Sequence, residues 1–189
     1  MNDILIPMRP GVDLKTIAPG WSIPGWTWQP KIDDERAVLR VSDGQVFNRH
    51  GQEFDQQKLR AFGGAVQALR RQFASYPWVD MGLIGFRDRS AFGESRGAIL
   101  VFDLVTDDPF PWEARAEWLR RAIPTLDLCA GEKAVPGMVY RFQDESQPSL
   151  LFERTKNVPG LEGVIGRNVR ACYCQGDSRE MAKARWKRG

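Results

Sequence analysis

The sequence predicts an α+β domain in which mostly antiparallel sheets are flanked by helices. Residues 36–41 alternate β-branched and apolar side chains, and the pair Asp43-Gly44 then gives a strong two-residue turn signal, as expected for a β-hairpin. Two further apolar segments, 78–86 and 98–105, are typical of strands and are separated by a loop rich in glycine and charge. Together with the helical segments between them, these strands indicate the α+β class.

The clearest helix lies between the hairpin and these strands. Asp55 is its expected N-cap and Pro77 closes the segment. Gly63-Gly64 within the helix indicates close packing at that point. Apolar residues recur at spacings of three and four, which places them on one helix face: Leu59, Phe62, Val66, Leu69 and Phe73.

The remaining elements are weaker. The first 30 residues are rich in Pro, Gly and Trp and predict irregular structure leading into a strand. A second helix is expected after Pro111, with Trp112, Ala116, Leu119 and Ile123 on its apolar face. A short strand, a helical turn and another strand are expected at 138–142, 150–154 and 161–165.

Composition and length place limits on the class of protein. A chain of 189 residues with 42% hydrophobic and 27% charged residues predicts one globular domain spanning 1–189. No apolar run approaches the roughly 20 residues that span a bilayer, and the N-terminus does not resemble a signal peptide, so a cytoplasmic location is expected. Three cysteines and a single histidine, His50, favour reduced thiols over disulfides or zinc.

Positive charge is concentrated near the end of the chain. The net charge is only +3, but residues 167–189, here called the C-terminal segment, hold seven basic and two acidic residues and so carry +5. Such a run is either a solvated face or a surface that binds phosphates, and the sequence leaves both interpretations open.

The segment around Lys31 contains the residues best suited to catalysis. In an extended strand, Lys31 and Asp33 project from the same face, and Arg36 follows three residues later. A lysine nucleophile must lose its proton before it can attack phosphorus, and neighbouring cations or burial favour that loss. Arg36 and a bound metal are the expected sources of positive charge near Lys31.

This segment resembles the signature motif of the covalent nucleotidyltransferases, Lys-x-Asp-Gly-x-Arg, found in ATP-dependent DNA ligases, RNA ligases and mRNA capping enzymes. The likeness extends from about residue 26 to the C-terminus. Further segments resemble later motifs of that superfamily in the same order: 48–51, 80–84, 100–104, 161–165 and 173–188.

The resemblance implies a ligase-type nucleotidyltransferase (adenylation) domain that uses ATP and Mg²⁺. Lys31 would attack the α-phosphate and become attached to AMP. Glu162 would bind Mg²⁺, a hard cation that prefers carboxylate oxygens. The remaining roles implied are phosphate binding by Arg185 and Lys187, ribose binding by Arg36, base stacking by Phe102, base reading by Gln29, and nucleotide contacts by Asp33 and Arg49.

Three positions depart from the superfamily pattern. Asp34 replaces the motif glycine, Gly82 stands where a glutamate is usual, and Arg185 stands where lysine is usual. The change at Gly82 removes a carboxylate, and Asp80 or Glu94 are the candidates to compensate for it. These departures raise the alternative that the chain is a nucleic-acid-binding module that kept the fold and lost the chemistry.

The function expected from these motifs is an ATP-dependent DNA ligase core that seals nicks between a 5′-phosphate and a 3′-hydroxyl. An RNA ligase or a capping guanylyltransferase are the alternatives within the superfamily. The expected partner is nicked duplex DNA, with RNA as the alternative, no membrane is involved, and a monomer is expected. No C-terminal OB-fold domain is expected, and a core of this small size suits a viral or phage source. A partner protein would then have to supply the domain that clamps the nucleotide and the duplex.

Overall fold

Two β-sheets facing each other form the framework of the molecule. The computed structural model describes residues 4–14, 17–33, 35–87 and 90–186. Within these ranges the strands are β1 (Arg9–Leu14), β2 (Trp26–Ile32), β3 (Glu35–Arg40), β4 (Val46–Asn48), β5 (Trp78–Leu83), β6 (Ile99–Val105), β7 (Val139–Arg141), β8 (Leu161–Asn168) and β9 (Asp177–Arg185).

Four α-helices accompany the sheets in the described part of the chain. They are α1 (Gln56–Leu59), α2 (Gly63–Gln72), α3 (Trp112–Ala122) and α4 (Pro148–Thr155), and a short 3₁₀ turn joins α1 to α2. None of them is long and apolar enough to cross a membrane.

Most strand pairs are antiparallel, which confirms the α+β fold class expected from the sequence. The first sheet has the order β1-β9-β8-β2 and the second the order β4-β3-β5-β6-β7. Only the pairs β1–β9 and β6–β7 are parallel among the described strands.

The helices cover the outer faces of the two sheets. Leu69 of α2 and Leu119 of α3 belong to one buried cluster with Leu39 of β3, so these helices pack on the second sheet. Phe152 of α4 belongs to another cluster with Trp28 of β2, so α4 packs on the first sheet. Because burial of apolar area holds each helix outside its sheet, the opposing inner faces are left to form a cleft.

The local sequence pattern did not predict two strands, one within the first 30 residues and one near the C-terminus. The expected irregular segment contains β1, and the basic segment contains β9, which is a regular strand of the first sheet. The two strands pair with each other in parallel although Arg9 and its partner Asp177 lie far apart in the chain. Parallel pairing over this distance depends on tertiary contacts, which a local pattern does not contain.

Two finer expectations were wrong. The hairpin loop has four residues, 41–44, rather than two, because the backbone N–H of Arg40 donates to the carbonyl of Gln45. The helix begins as expected at Asp55, whose side chain accepts from the N–H of Gln57, but its two glycines do not mark close packing. A Cβ added at Gly63 or Gly64 would have no neighbour within 4 Å.

The open space at Gly64 leads to a stability prediction. Gly64→Ala is expected to raise the free energy of unfolding by roughly 0.5–1 kcal/mol, because alanine loses less backbone entropy in a helix. Chemical denaturation followed by circular dichroism measures it. Gly131→Ala is the matched control, since its site is equally open but has φ +84, where alanine is strained. The control should lose about 1–2 kcal/mol, and a destabilised Gly64→Ala would contradict the account.

Candidate active site

A cleft of about 640 Å³ lies between the inner faces of the two sheets. It is lined among the described residues by eight basic and four acidic side chains, a surplus that suits an anionic ligand. Of the residues singled out from the sequence, the cleft contains Gln29, Lys31, Asp33, Arg36, Arg49, Phe102, Glu162 and Arg185. Lys187, the other expected phosphate ligand, lies outside the described residues, as does Asp34.

Strand β8 lies between β2, which carries Lys31, and β9, which carries Arg185, and so brings these two residues together. Gly163 of β8 is the register partner of Lys31 on one side and of Arg185 on the other. The pairing with β2 shifts between Lys31 and Ile32, so Glu162 is an extra residue in β8, a β-bulge. The bulge places the Glu162 side chain beside both cations.

The Glu162 carboxylate joins the two cations directly. Lys31 Nζ donates to Oε1 at 2.7 Å, and Arg185 Nε lies 3.0 Å from Oε2. The Lys31 and Glu162 side chains are only 14% and 19% exposed. A buried carboxylate needs charged or hydrogen-bonding partners. In this structure the partners of Glu162 are the side chains of Lys31 and Arg185.

Gly163 is required by the close approach of β9. Its φ is +146, and a Cβ built there would lie 1.8 Å from the carbonyl oxygen of Ala184. Only glycine allows the two backbones to pack so closely at a positive φ. The glycine of this Glu-Gly pair is thus a steric requirement for holding Lys31 and Arg185 on either side of one residue.

Burial lowers the pKa of the Lys31 amine from the ordinary value of 10.5. The positive charge of Arg185 acts in the same direction, whereas the hydrogen bond and charge of Glu162 and the charge of Asp33 raise it. The neighbouring cation that favours the neutral amine is therefore Arg185, and not Arg36 as expected from the sequence. A lowered pKa gives Lys31 a larger neutral fraction near neutral pH than an exposed lysine has.

Arg36 is held by a buried aspartate. Its Nε and Nη2 atoms donate to the two carboxylate oxygens of Asp80 at 3.0 and 2.6 Å, and the Tyr173 hydroxyl donates to the same carboxylate at 2.9 Å. Such a bidentate pair fixes the plane of the guanidinium. Arg36 reaches the cleft with its orientation already set.

Neither candidate replaces the carboxylate missing at Gly82. Asp80 is fully buried and occupied by Arg36 and Tyr173, and it does not line the cleft. Glu94 is exposed and pairs with Lys133, outside the cleft.

Phe102 explains why residue 82 is glycine. A Cβ at Gly82 would lie 2.8 Å from the Phe102 ring, so the ring takes the space of a side chain there. The register of β5 and β6 shifts between Asp80 and Met81, which makes Phe102 an extra residue in β6. The ring therefore lies in the cleft, with the Arg36 guanidinium 5.9 Å from its centroid.

The same bulge turns Asp103 toward the first sheet, a feature that sequence reasoning missed. Asp103 accepts from Arg115 Nε at 2.8 Å and from Arg167 Nη1 at 2.9 Å. Arg167 also lies over the Trp112 ring at 3.9 Å. Arg167 lines the cleft but is buried and paired, so it is not part of an exposed basic surface as its place in the C-terminal segment suggested.

Asp33, Glu35 and Arg49 complete the rim. Arg87, another residue missed from the sequence, donates to Asp33 at 3.1 Å and to Glu35 at 3.2 Å. Arg49 lines the cleft with His50, and its Nε donates to the His50 ring. The signal for Arg87 was weak, since it lies in a charged loop with no pattern of its own.

The cleft offers oxygen ligands to a cation, but no closed metal centre. Among the described residues no cluster of three His, Cys, Asp or Glu side chains could hold a metal ion. Glu162 and Asp33 both present carboxylates to the cleft. This set fits Mg²⁺, which proteins bind through one or two carboxylates together with substrate phosphates.

Comparison with solved structures identifies the class of fold. The two-sheet framework is that of the adenylation domains of ATP-dependent DNA ligases. The ligase domain of M. tuberculosis LigD is similar with a TM-score of 0.67 and 15% identity, covering 98% of this chain and 60% of that one. A mycobacterial DNA ligase D complexed with ATP and MES gives 0.65 and 16%, covering 99% and 62%.

The Chlorella virus DNA ligase-adenylate is also similar, with a TM-score of 0.60 and 17% identity over 97% of this chain and 69% of that one. No protein-family model matches the sequence, and no curated protein matches it. The chain spans about 60% of the length of the LigD ligase domain. At these identities the likeness establishes the fold.

Proposed function

We propose that this chain is the core of an ATP-dependent polynucleotide ligase, with DNA as its substrate, and that Lys31 forms the covalent bond to AMP. The observation that carries the proposal is the geometry around Lys31. A partly buried amine with a lowered pKa lies in a positively charged cleft, joined through Glu162 to Arg185. This is the arrangement that a phosphoryl-transfer site with a lysine nucleophile needs.

The cleft suits ATP in its parts as well as in its charge. Phe102 from the second sheet and Ile165 and Met181 from the first line it, and together they can hold a planar base between an aromatic ring and aliphatic side chains. Lys31 and Arg185 would contact the α-phosphate, and the oriented guanidinium of Arg36 would bind the ribose.

In the proposed reaction, neutral Lys31 Nζ attacks the α-phosphorus of ATP. The N–P bond forms, the bond from the α-phosphorus to the bridging oxygen of the β-phosphate breaks, and pyrophosphate leaves with the electron pair. Nζ loses its proton to solvent. Mg²⁺, held by Glu162 and ATP phosphates, would neutralise phosphate charge. Arg185 would bind the non-bridging oxygens of the α-phosphate and so hold the leaving oxygen in line with Nζ.

Glu162 connects binding to nucleophile activation in this scheme. In the free protein its carboxylate stabilises the ammonium form of Lys31, since it raises the pKa of the amine. If Glu162 held Mg²⁺ instead, burial and the charge of Arg185 would remain, and both favour the neutral amine. Lys31 would therefore become nucleophilic when the nucleotide and metal are bound.

Incubation with each labelled nucleoside triphosphate and Mg²⁺, followed by nicked DNA or nicked RNA, tests the proposal. Covalent label from ATP and sealing of nicked DNA are expected. Label from GTP would instead indicate a capping guanylyltransferase, and sealing of RNA alone an RNA ligase. The absence of any covalent label would favour a binding module without chemistry, the alternative that Gly82 supports.

The exposed arginines of the C-terminal segment lead to a prediction on DNA binding. Arg170 and Arg179 are exposed, whereas Arg188 lies outside the described residues. Charge reversal at Arg170 and Arg179 is expected to weaken duplex DNA binding. It should also reduce the slope of log K against log salt by up to about 1.8, at roughly 0.9 for each phosphate that is no longer neutralised. Self-adenylation should not change.

Salt titration of DNA binding by fluorescence anisotropy measures this effect. Arg121→Glu on α3 is the control, because that arginine is also exposed but lies outside the segment. If the slope of log K against log salt is unchanged in the double variant, the C-terminal segment is a solvated surface that does not bind DNA.

A further inference from the structure

The amide of Gln29 is buried at the floor of the cleft, on the same strand as Lys31 and two residues before it. Residues two apart in a strand project to the same side, and both side chains face the cleft. Gln29 Nε2 donates to Asp144 Oδ1 at 3.0 Å. Asp144 follows β7 in the chain and does not itself line the cleft.

The Asp144 carboxylate decides which end of the Gln29 amide faces the cleft. An ionised carboxylate only accepts hydrogen bonds, so the amide NH₂ must turn toward it and the amide oxygen must turn away. Burial raises the pKa of Asp144, but the charge of Arg167 and the Gln29 hydrogen bond favour the ionised form. In the described part of the chain no residue donates a hydrogen bond to Gln29 Oε1.

We infer that Asp144 is a positioning residue that fixes Gln29 as a hydrogen-bond acceptor and so selects adenine over guanine. Adenine presents an amino donor at carbon 6, whereas guanine presents a carbonyl acceptor there. With guanine, two acceptors would face each other in a buried site, and an unpaired buried polar group is strongly unfavourable. The inference rests on the proposed function, because it assumes that the cleft binds a nucleotide.

The hydrogen bond also ties β2 to the segment after β7, so a purely structural role must be separated from selection. A structural role would change stability and the affinity for all nucleotides together. A positioning role changes the ratio between adenine and guanine nucleotides. The informative quantity is therefore the ratio of dissociation constants, KdGTP to KdATP.

The test measures binding of ATP, GTP and ITP to the full chain by isothermal titration calorimetry. ITP carries the carbonyl of GTP without its 2-amino group, so it separates the hydrogen-bond effect from steric exclusion. Wild type is expected to bind ATP at least about 10-fold more tightly than GTP or ITP. A loss of affinity of this size is expected when a buried acceptor is left unpaired. Asp144→Asn should reduce this ratio about 10-fold, since an asparagine can pair with either end of the Gln29 amide.

Two further variants keep the test decisive. Gln29→Met removes the amide at similar volume and should also abolish the preference, whether or not Asp144→Asn folds. Glu145→Gln is the matched control, because this neighbouring carboxylate lies outside the cleft and pairs with Arg154. Its ratio should equal that of wild type.

The outcomes separate this inference from the proposed function. An ATP preference that survives in a folded Asp144→Asn variant overturns the inference and leaves the ligase proposal intact. Covalent labelling by ATP and GTP alike overturns the inference and leaves the covalent chemistry of Lys31 intact. ATP-selective binding that depends on Asp144, without any covalent label, supports the inference and rejects the ligase chemistry. A protein that binds no nucleotide overturns both.

Discussion

Glu162→Gln is expected to slow adenylation of Lys31 by about 10²-fold, the loss typical when one electrostatic group is removed from a phosphoryl- or acyl-transfer site. The substitution keeps the shape of the side chain but removes the charge that joins Lys31 to Arg185. It also removes a carboxylate ligand that the proposed function assigns to Mg²⁺. The measurement is the initial rate of covalent AMP transfer at several Mg²⁺ concentrations.

The direction of the change distinguishes two roles for this carboxylate. Glu162 raises the pKa of Lys31, so removing its charge lowers that pKa further and increases the neutral fraction of the amine. If the carboxylate only held the ammonium form, Glu162→Gln would react as fast as wild type or faster. That result would remove Glu162 from the catalytic step. Glu180→Gln, on the same sheet and paired with Asn168, is the control and should react normally.

Gly163→Ala is expected to lower the free energy of unfolding by at least about 3 kcal/mol, combining backbone strain with a steric clash. The added Cβ would lie 1.8 Å from the Ala184 carbonyl oxygen and 2.9 Å from the Arg185 Cα, so β9 must move away. Any protein that still folds should lose adenylation, because Arg185 would move with the strand.

Denaturation and adenylation of the same preparation measure the two effects of Gly163→Ala. Gly176→Ala is the control, since its φ is +80 but a Cβ there has no neighbour within 4 Å. It should lose only the roughly 1–2 kcal/mol of a left-handed residue and keep its activity. Equal losses in the two variants would show that the close approach of β9 is unimportant.

Much of the candidate site could be predicted from the sequence because its short motifs resemble those of the covalent nucleotidyltransferases. Lys31, Glu162 and Arg185 are far apart in the chain, but all three meet around Gly163. The motifs singled out these three residues, and in the structure all three line one cleft. Their individual roles stay predictions until chemistry is measured.

The features of the site that could not be predicted from the sequence depend on β-bulges and on contacts between residues far apart in the chain. An extra residue in β6 turns both Phe102 and Asp103 inward, and strict alternation along the strand would have placed one of them outside. Asp144 lies in no recognised motif, and its hydrogen bond with Gln29 joins positions 115 residues apart. The parallel pairing of β1 with β9 likewise could not be predicted locally, because the residues of β1 are all partly or fully exposed and its partner strand lies near the other end of the chain.

The central claim is tested most directly by locating the covalent adduct. The protein is incubated with ATP and Mg²⁺, denatured, digested and analysed by mass spectrometry. The account predicts one AMP per chain, attached to Lys31 and absent from Lys31→Ala, while a Lys58→Ala control is labelled as wild type. An AMP adduct on any other lysine, or no adduct in a folded protein that binds ATP, would contradict the claim that Lys31 is the nucleophile.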